Sequence, residues 1–245
     1  MSRFSQLIEE VADQHNHSLS DVMLKAKVLA HRFKSRKFRQ WVNLEIDGYD
    51  RSAPLPNYRI IASKIYGDFV GYFNSQVRNV PLSTVILESK IREILEFESM
   101  REGVAYLENL LTSGGDRIGK NLDITIINYL RDHGESIDDM VLNSVVKLIS
   151  KHGIAELLTG IRSRLLDFLL ELQDKYPELD TNEEVASQIA ESEIDAVMGK
   201  NVYKDCTIFK GVEMRDNYHA GQAAAMGPNA KAENMNFVQI LRGAI

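Results

Sequence analysis

The sequence predicts an α+β protein that is mainly α, with a small β element near residues 58–80 and a β-rich C-terminal tail. Three observations predict it. Apolar residues recur at helical spacing through most of the first 200 positions. Residues 58–73 change character, with Ile60, Ile61, Ile65, Tyr66, Phe69, Val70 and Tyr72 punctuated by Gly67 and Gly71. After Gly199 the composition shifts again, to short alternating segments separated by Gly, Asn and Ala.

Phe4, Leu7, Ile8 and Val11 share one face of a first short helix. Ser18 or Ser20 is a suitable N-cap for a second, with Asp21 in its first turn, where the helix dipole favours a negative charge. Leu24, Val28 and Leu29 line that helix to about Phe33, and Lys34-Ser35-Arg36 reads as a turn. A third helix carries Phe38, Trp41, Val42, Leu44 and Ile46, and Gly48 suits the left-handed position past its end. Helices two and three form an αα-hairpin. Pro54 and Pro56 mark a loop before the β element, which a strand at residues 76–80 extends. Helices are expected over residues 88–111, 122–130, 138–151, 154–176 and 182–197, with a loop at Ser113-Gly114-Gly115-Asp116. The resulting organisation is a helical domain over 1–180, a helical linker over 181–200 and a β-rich assembly tail over 201–245.

The 245 residues carry a net charge of −6, so the chain is not a default binder of nucleic acid, although a local basic patch remains open to it. One cysteine, Cys206, cannot close an intrachain disulfide. No apolar run reaches the length of about 18 residues that spans a bilayer. These features predict a cytoplasmic protein without a membrane partner.

Three stretches carry a family resemblance. The first is Ser18-Leu19-Ser20, followed after a helix by Trp41-Val42-Asn43-Leu44-Glu45-Ile46-Asp47-Gly48-Tyr49. The second is Leu55-Pro56-Asn57-Tyr58-Arg59, followed by Gly67-Asp68-Phe69-Val70-Gly71. The third runs from Ile161 through Leu172 to Tyr176-Pro177-Glu178. In this order they resemble the AbiTii family of abortive-infection proteins. The resemblance implies a bacterial anti-phage component, in a response where the infected cell limits phage spread by halting its own growth. It carries over no catalytic residue, and the tail lies outside it.

Several constellations invite chemistry. Lys34, Arg36, Lys37 and Arg39 are interleaved with Phe33, Phe38 and Trp41, a mixture that grips single-stranded nucleic acid when the rings are exposed. The plainer reading is a solvated hairpin tip with its aromatics in the core. Asn43, Glu45, Asp47 and Tyr49 sit close together and Arg59 follows the loop, so a carboxylate with Arg nearby offers either acid–base chemistry or an ion pair or cap that holds the hairpin to the β segment; the ion pair or cap is preferred. Gly114 to Lys120 has the spacing of a phosphate loop, but Asn121 stands where a hydroxyl is needed. His15 and His17 lack the i, i+4 spacing and further ligands of a metal site.

The expectation is therefore a defence component, more non-enzymatic than enzymatic, needing no cofactor and no metal. It self-associates or docks a protein partner through its tail, where Ile208, Val212, Tyr218, Met226, Phe237 and Ile240 are the interface candidates. The alternative is an RNA-directed toxin that uses the basic hairpin and Glu45.

Overall fold

The computed structural model describes residues 2–50, 53–137 and 139–204. Three helices open the chain: α1 (Arg3–Ala12), α2 (Leu19–Arg32) and α3 (Arg36–Asp47). Each starts on a serine whose hydroxyl accepts a backbone N–H of the first turn: Ser2 from Ser5, Ser18 from Asp21 and Ser35 from Phe38. Such a cap satisfies one of the donors a helix leaves orphaned at its start. Two strands follow, β1 (Ile60–Gly71) and β2 (Gln76–Pro81), then α4 (Ser89–Glu96), β3 (Phe97–Ser99), α5 (Val104–Thr112), β4 (Arg117–Asn121), α6 (Ile124–His133) and β5 (Met140–Ser150). The long α7 (Lys151–Lys175) and then α8 (Glu191–Asn201) complete the described chain, with 3-10 turns at Pro177–Asp180 and Glu183–Ser187 between them.

The β content differs from the expectation. The β element is not confined to residues 58–80. It is part of a five-stranded antiparallel sheet ordered β2-β1-β5-β4, with β3 paired to the start of β1. Residues 138–151, expected as helix, contain β5, the partner of β1 along nearly its whole length. Residues 88–111, expected as one helix, are broken by β3. The β-rich tail is not supported either, since residues 205–245 lie outside the described residues.

The misreading of β5 has a local cause. Asp68 pairs with Ser144 and Phe69 with Leu142, so Asn143 is an extra residue, a β-bulge. The bulge places Leu142, Val145 and Ile149 on the buried face. With Val146 beside them, those positions read as i, i+3, i+4 and i+7, the signature of a helix.

The described residues form two cores. In the first, α1, α2, α3, α5, α7 and α8 pack around Phe4, Phe33, Phe38, Trp41 and Phe168. The rings of Phe38 and Phe168 approach to 4.5 Å, and Phe38 stacks on Trp41. In the second, Leu87, Ile91 and Leu95 on or just before α4, and Ile126, Ile127 and Leu130 on α6, cover one face of the sheet over Ile65, Phe69, Leu142 and Val145. Helix α7 grows directly out of β5. Ser150 caps it by accepting the Gly153 N–H, so strand passes into helix there without a loop.

Candidate functional site

The constellation around Glu45 is assembled by three elements. Glu45 projects from α3 into the interior, and Arg59 sits at the entrance to β1. Helix α3 ends at Gly48, whose φ of +92° is open to glycine and strained for other residues. A Cβ there would lie 2.7 Å from the Arg101 carbonyl oxygen, so the chain before α5 approaches as closely as it does only because Gly48 has none. The Tyr49 N–H then donates to the Arg101 carbonyl at 2.7 Å.

These contacts lock a closed polar network. The Arg59 guanidinium donates to Glu45 Oε2, and both side chains are 0% exposed. The Tyr49 and Tyr58 hydroxyls each donate to Glu45 Oε1 at 2.6 Å. Trp41 Nε1 donates to the Tyr58 oxygen at 2.9 Å. Arg59 Nη1 donates to the Met100 and Glu102 carbonyls at 3.0 and 2.6 Å. Burial, reinforced by the Glu45 charge, raises both tyrosines well above the usual phenol range, so they stay protonated donors. Burial opposes the charge on Arg59, but Glu45 outweighs it and holds the guanidinium above its usual value. Both Glu45 oxygens are engaged, and the pair has no opening to solvent. Its geometry clamps α3, β1 and the approach to α5 together. Of the ion pair or cap preferred from sequence, the arrangement is an ion pair, and Glu45 is its carboxylate.

At the basic hairpin, Phe33, Phe38 and Trp41 lie in the bundle core, while Lys34, Arg36, Lys37 and Arg39 are exposed. Acidic groups of α8 meet this turn. Lys37 pairs with Asp195 at 3.0 Å, the Ser35 hydroxyl donates to Asp195, and the Arg36 N–H donates to Glu191. Lys34 itself takes a left-handed φ of 56°. The glycine run at residues 114–120 leads into β4 at the sheet edge, where Lys120 pairs with Glu98 at 3.1 Å. The interface candidates Ile208, Val212, Tyr218, Met226, Phe237 and Ile240, and Cys206, lie outside the described residues.

A second buried charge escaped the sequence reading. Lys147, on the inward face of β5, is 4% exposed. It donates to the Ile94 carbonyl at 2.7 Å, to the Phe97 carbonyl and to Glu98 Oε2 at 2.6 Å. It thereby caps the C-terminal end of α4, where unpaired carbonyls favour a cation. Burial lowers the Lys147 pKa. Burial pushes the Glu98 carboxyl up, but the Lys147 and Lys120 ammonium groups together outweigh this and leave it low. The signal was present, a lysine amid Val145, Val146, Leu148 and Ile149, but it is legible only once that segment is read as strand.

A family model described as AbiTii matches residues 4–198, most of the chain. The chain belongs to the AbiTii family. It is accordingly a bacterial abortive-infection protein, a component of antiviral defence. No curated protein and no solved structure matches the chain. The matched span takes in the Glu45–Arg59 clamp, the whole sheet and most of α8.

The AbiTii chain also has an open apolar groove of about 290 Å³ between α1, α2 and the two 3-10 turns. Phe4, Leu7, Val28, Leu29, Leu179 and Ala186 line it. Arg3 and Arg32 stand at its margin, as does the Lys25–Glu10 pair at 2.6 Å. Val28, and Leu24 one helical turn away, are more than half exposed, an unusual state for two neighbouring aliphatic residues on a helix packed into a core. Among the described residues no cluster of His, Cys, Asp and Glu is arranged to hold a metal, and no helix is long and apolar enough to cross a membrane.

Proposed function

We propose that this AbiTii protein serves abortive infection as a non-enzymatic, cytoplasmic component that works by docking, and that the docking joins copies of the chain. In this reading the segment beyond Lys204 reaches into the groove between α1 and α2 of a second copy. The groove carries the proposal: it is an apolar opening whose lining includes the water-exposed Val28, with the exposed Leu24 one helical turn away on α2. Two further observations support it. The one carboxylate–arginine constellation that suggested chemistry is sealed from reactants. The described chain ends on the outside of α7, where Lys204 pairs with Asp167 at 3.3 Å and Arg164 donates to the Val202 carbonyl. Residues 205–245 continue from there with enough length to cross to another molecule, at about 3.3 Å per extended residue.

Light scattering on a sizing column tests the reading with three proteins: the intact chain, a chain ending at Lys204, and the intact chain carrying Val28→Glu. Among the described residues both hydrophobic cores are built from residues 4–202, all of which the shortened chain keeps. The expected result is an oligomer for the intact chain and folded monomers for the other two. A monomeric intact chain, or an oligomer that survives both changes, overturns the proposal.

A further inference from the structure

The sheet has a second face that no described helix covers. Strands β1 and β5 send Ile65, Phe69, Leu142 and Val145 toward α4 and α6. The alternate positions point the other way, because successive side chains of a strand leave opposite sides. Lys64 stands opposite Leu148, and Tyr66 opposite Val146. Arg117 on β4 stands beside Ser150, and Gly119 beside Leu148. Lys64 and Arg117 are exposed, while Tyr66 is half-buried. Together they border a shallow depression of about 260 Å³ whose floor includes Ala62 and Leu148.

The charge on this face is one-sided. Arg117 leans over Tyr66, its guanidinium carbon 5.8 Å from the ring centroid and its Nη1 3.4 Å from the hydroxyl. Arg78 on β2 reaches the same side, donating to Gln76 Oε1 at 2.6 Å; Gln76 pairs with the outward Val70. Among the described strand residues that face outward, Asp68 is the one carboxylate. It is already engaged by the Asn79 N–H at 2.9 Å and the Ser144 hydroxyl at 3.1 Å. A chain with a net charge of −6 has therefore placed Lys64, Arg78 and Arg117 on one face of the sheet, Lys64 and Arg117 beside the Tyr66 ring and Arg78 farther along β1.

We infer that this face binds single-stranded nucleic acid. An anionic occupant answers the three cations, and the ring with its aliphatic floor answers a planar base. Lys64 and the level of Asp68, near Arg78, lie about 13 Å apart along β1, the reach of about two extended nucleotides. A duplex hides the π faces of its bases, so the ring selects unpaired strands. This surface is separate from the basic hairpin and from the α1–α2 groove, so the inference stands or falls independently of the docking proposal.

Fluorescence anisotropy with a labelled twelve-residue oligothymidylate and the full chain is the test. Wild type is expected to bind, more weakly as salt rises, and more tightly than it binds the corresponding duplex. Lys64→Glu and Arg117→Glu are each expected to weaken binding about tenfold. Tyr66→Ala is expected to do the same, with Tyr66→Phe restoring the affinity because it keeps the ring. Lys34→Glu on the hairpin is expected to change nothing. Absence of binding at low salt overturns the inference. So does equal binding of duplex, or loss through Lys34→Glu while the three sheet variants bind like wild type.

Discussion

Glu45 and Arg59 are worth more to the fold as a pair than either is alone. Removing one partner leaves a buried charge without compensation, at a cost of about 3–5 kcal/mol. Arg59→Met is therefore expected to lower the urea midpoint severely, and Glu45→Gln to follow it in direction, with the two tyrosine hydroxyls losing a charged acceptor. A midpoint unchanged by Arg59→Met would show that the clamp is not structural. Glu171 offers a pH signature. The Asn201 amide donates to it at 2.6 Å, Lys175 and Lys200 pair with it, and its pKa falls to about 2. A carboxyl depressed in the folded state stabilises above its unfolded pKa and loses that contribution as pH falls through the folded value. Glu171→Gln should thus cost about 1 kcal/mol at neutral pH, the scale of a surface ion pair, with the difference fading from about pH 4.5 to pH 2.

At the scale of elements, the β1–β2 hairpin stores visible strain. Phe73 and Asn74 both have positive φ, 55° and 61°, and the Ser75 N–H closes the turn on the Tyr72 carbonyl at 3.1 Å. This two-residue turn favours Asn-Gly, and a bulky aromatic in the left-handed region is costly. Phe73 is fully exposed, so packing does not repay the strain. Replacing the pair with Phe73→Asn and Asn74→Gly is expected to stabilise the protein by about 1 kcal/mol, read as a rise in thermal midpoint. A fall would mean the ring holds the turn in place. Elements with their own local signals were legible in the sequence. The serine cap of α2, the Gly48 stop and a helix beginning near residue 122 all rest on neighbours within a few residues. Strand β5 was not legible, because one bulge at Asn143 turned a period of two into an apparent helical period. The short β3 was not legible either, since its three residues pair with Ile60, Ile61 and Ala62 far earlier in the chain.

For the whole molecule, residues 183–201 matter more than a connecting segment does. Ile194, Val197 and Met198 of α8 are buried in the bundle, and Asp195 and Glu191 meet the α2–α3 turn. A chain ending at Lys204 should therefore melt as cooperatively as the intact one, and a chain ending at residue 180 should not, because it opens the core along α3 and α7. Circular dichroism melts of the two truncations decide this. Equal melts would place α8 outside the stability core.

The sequence by itself carried the family resemblance, most of the amphipathic helices and the closeness of carboxylates on α3 to Arg59. Those depend on residue identity and on spacing within a turn or two. Only the tertiary structure decided that the pair is sealed, that five strands form one sheet, and that Lys64, Tyr66, Arg78 and Arg117 share its open face. Strand partners and burial are set by contacts between residues distant in the chain, and an unaligned sequence carries no local trace of which of its segments will meet.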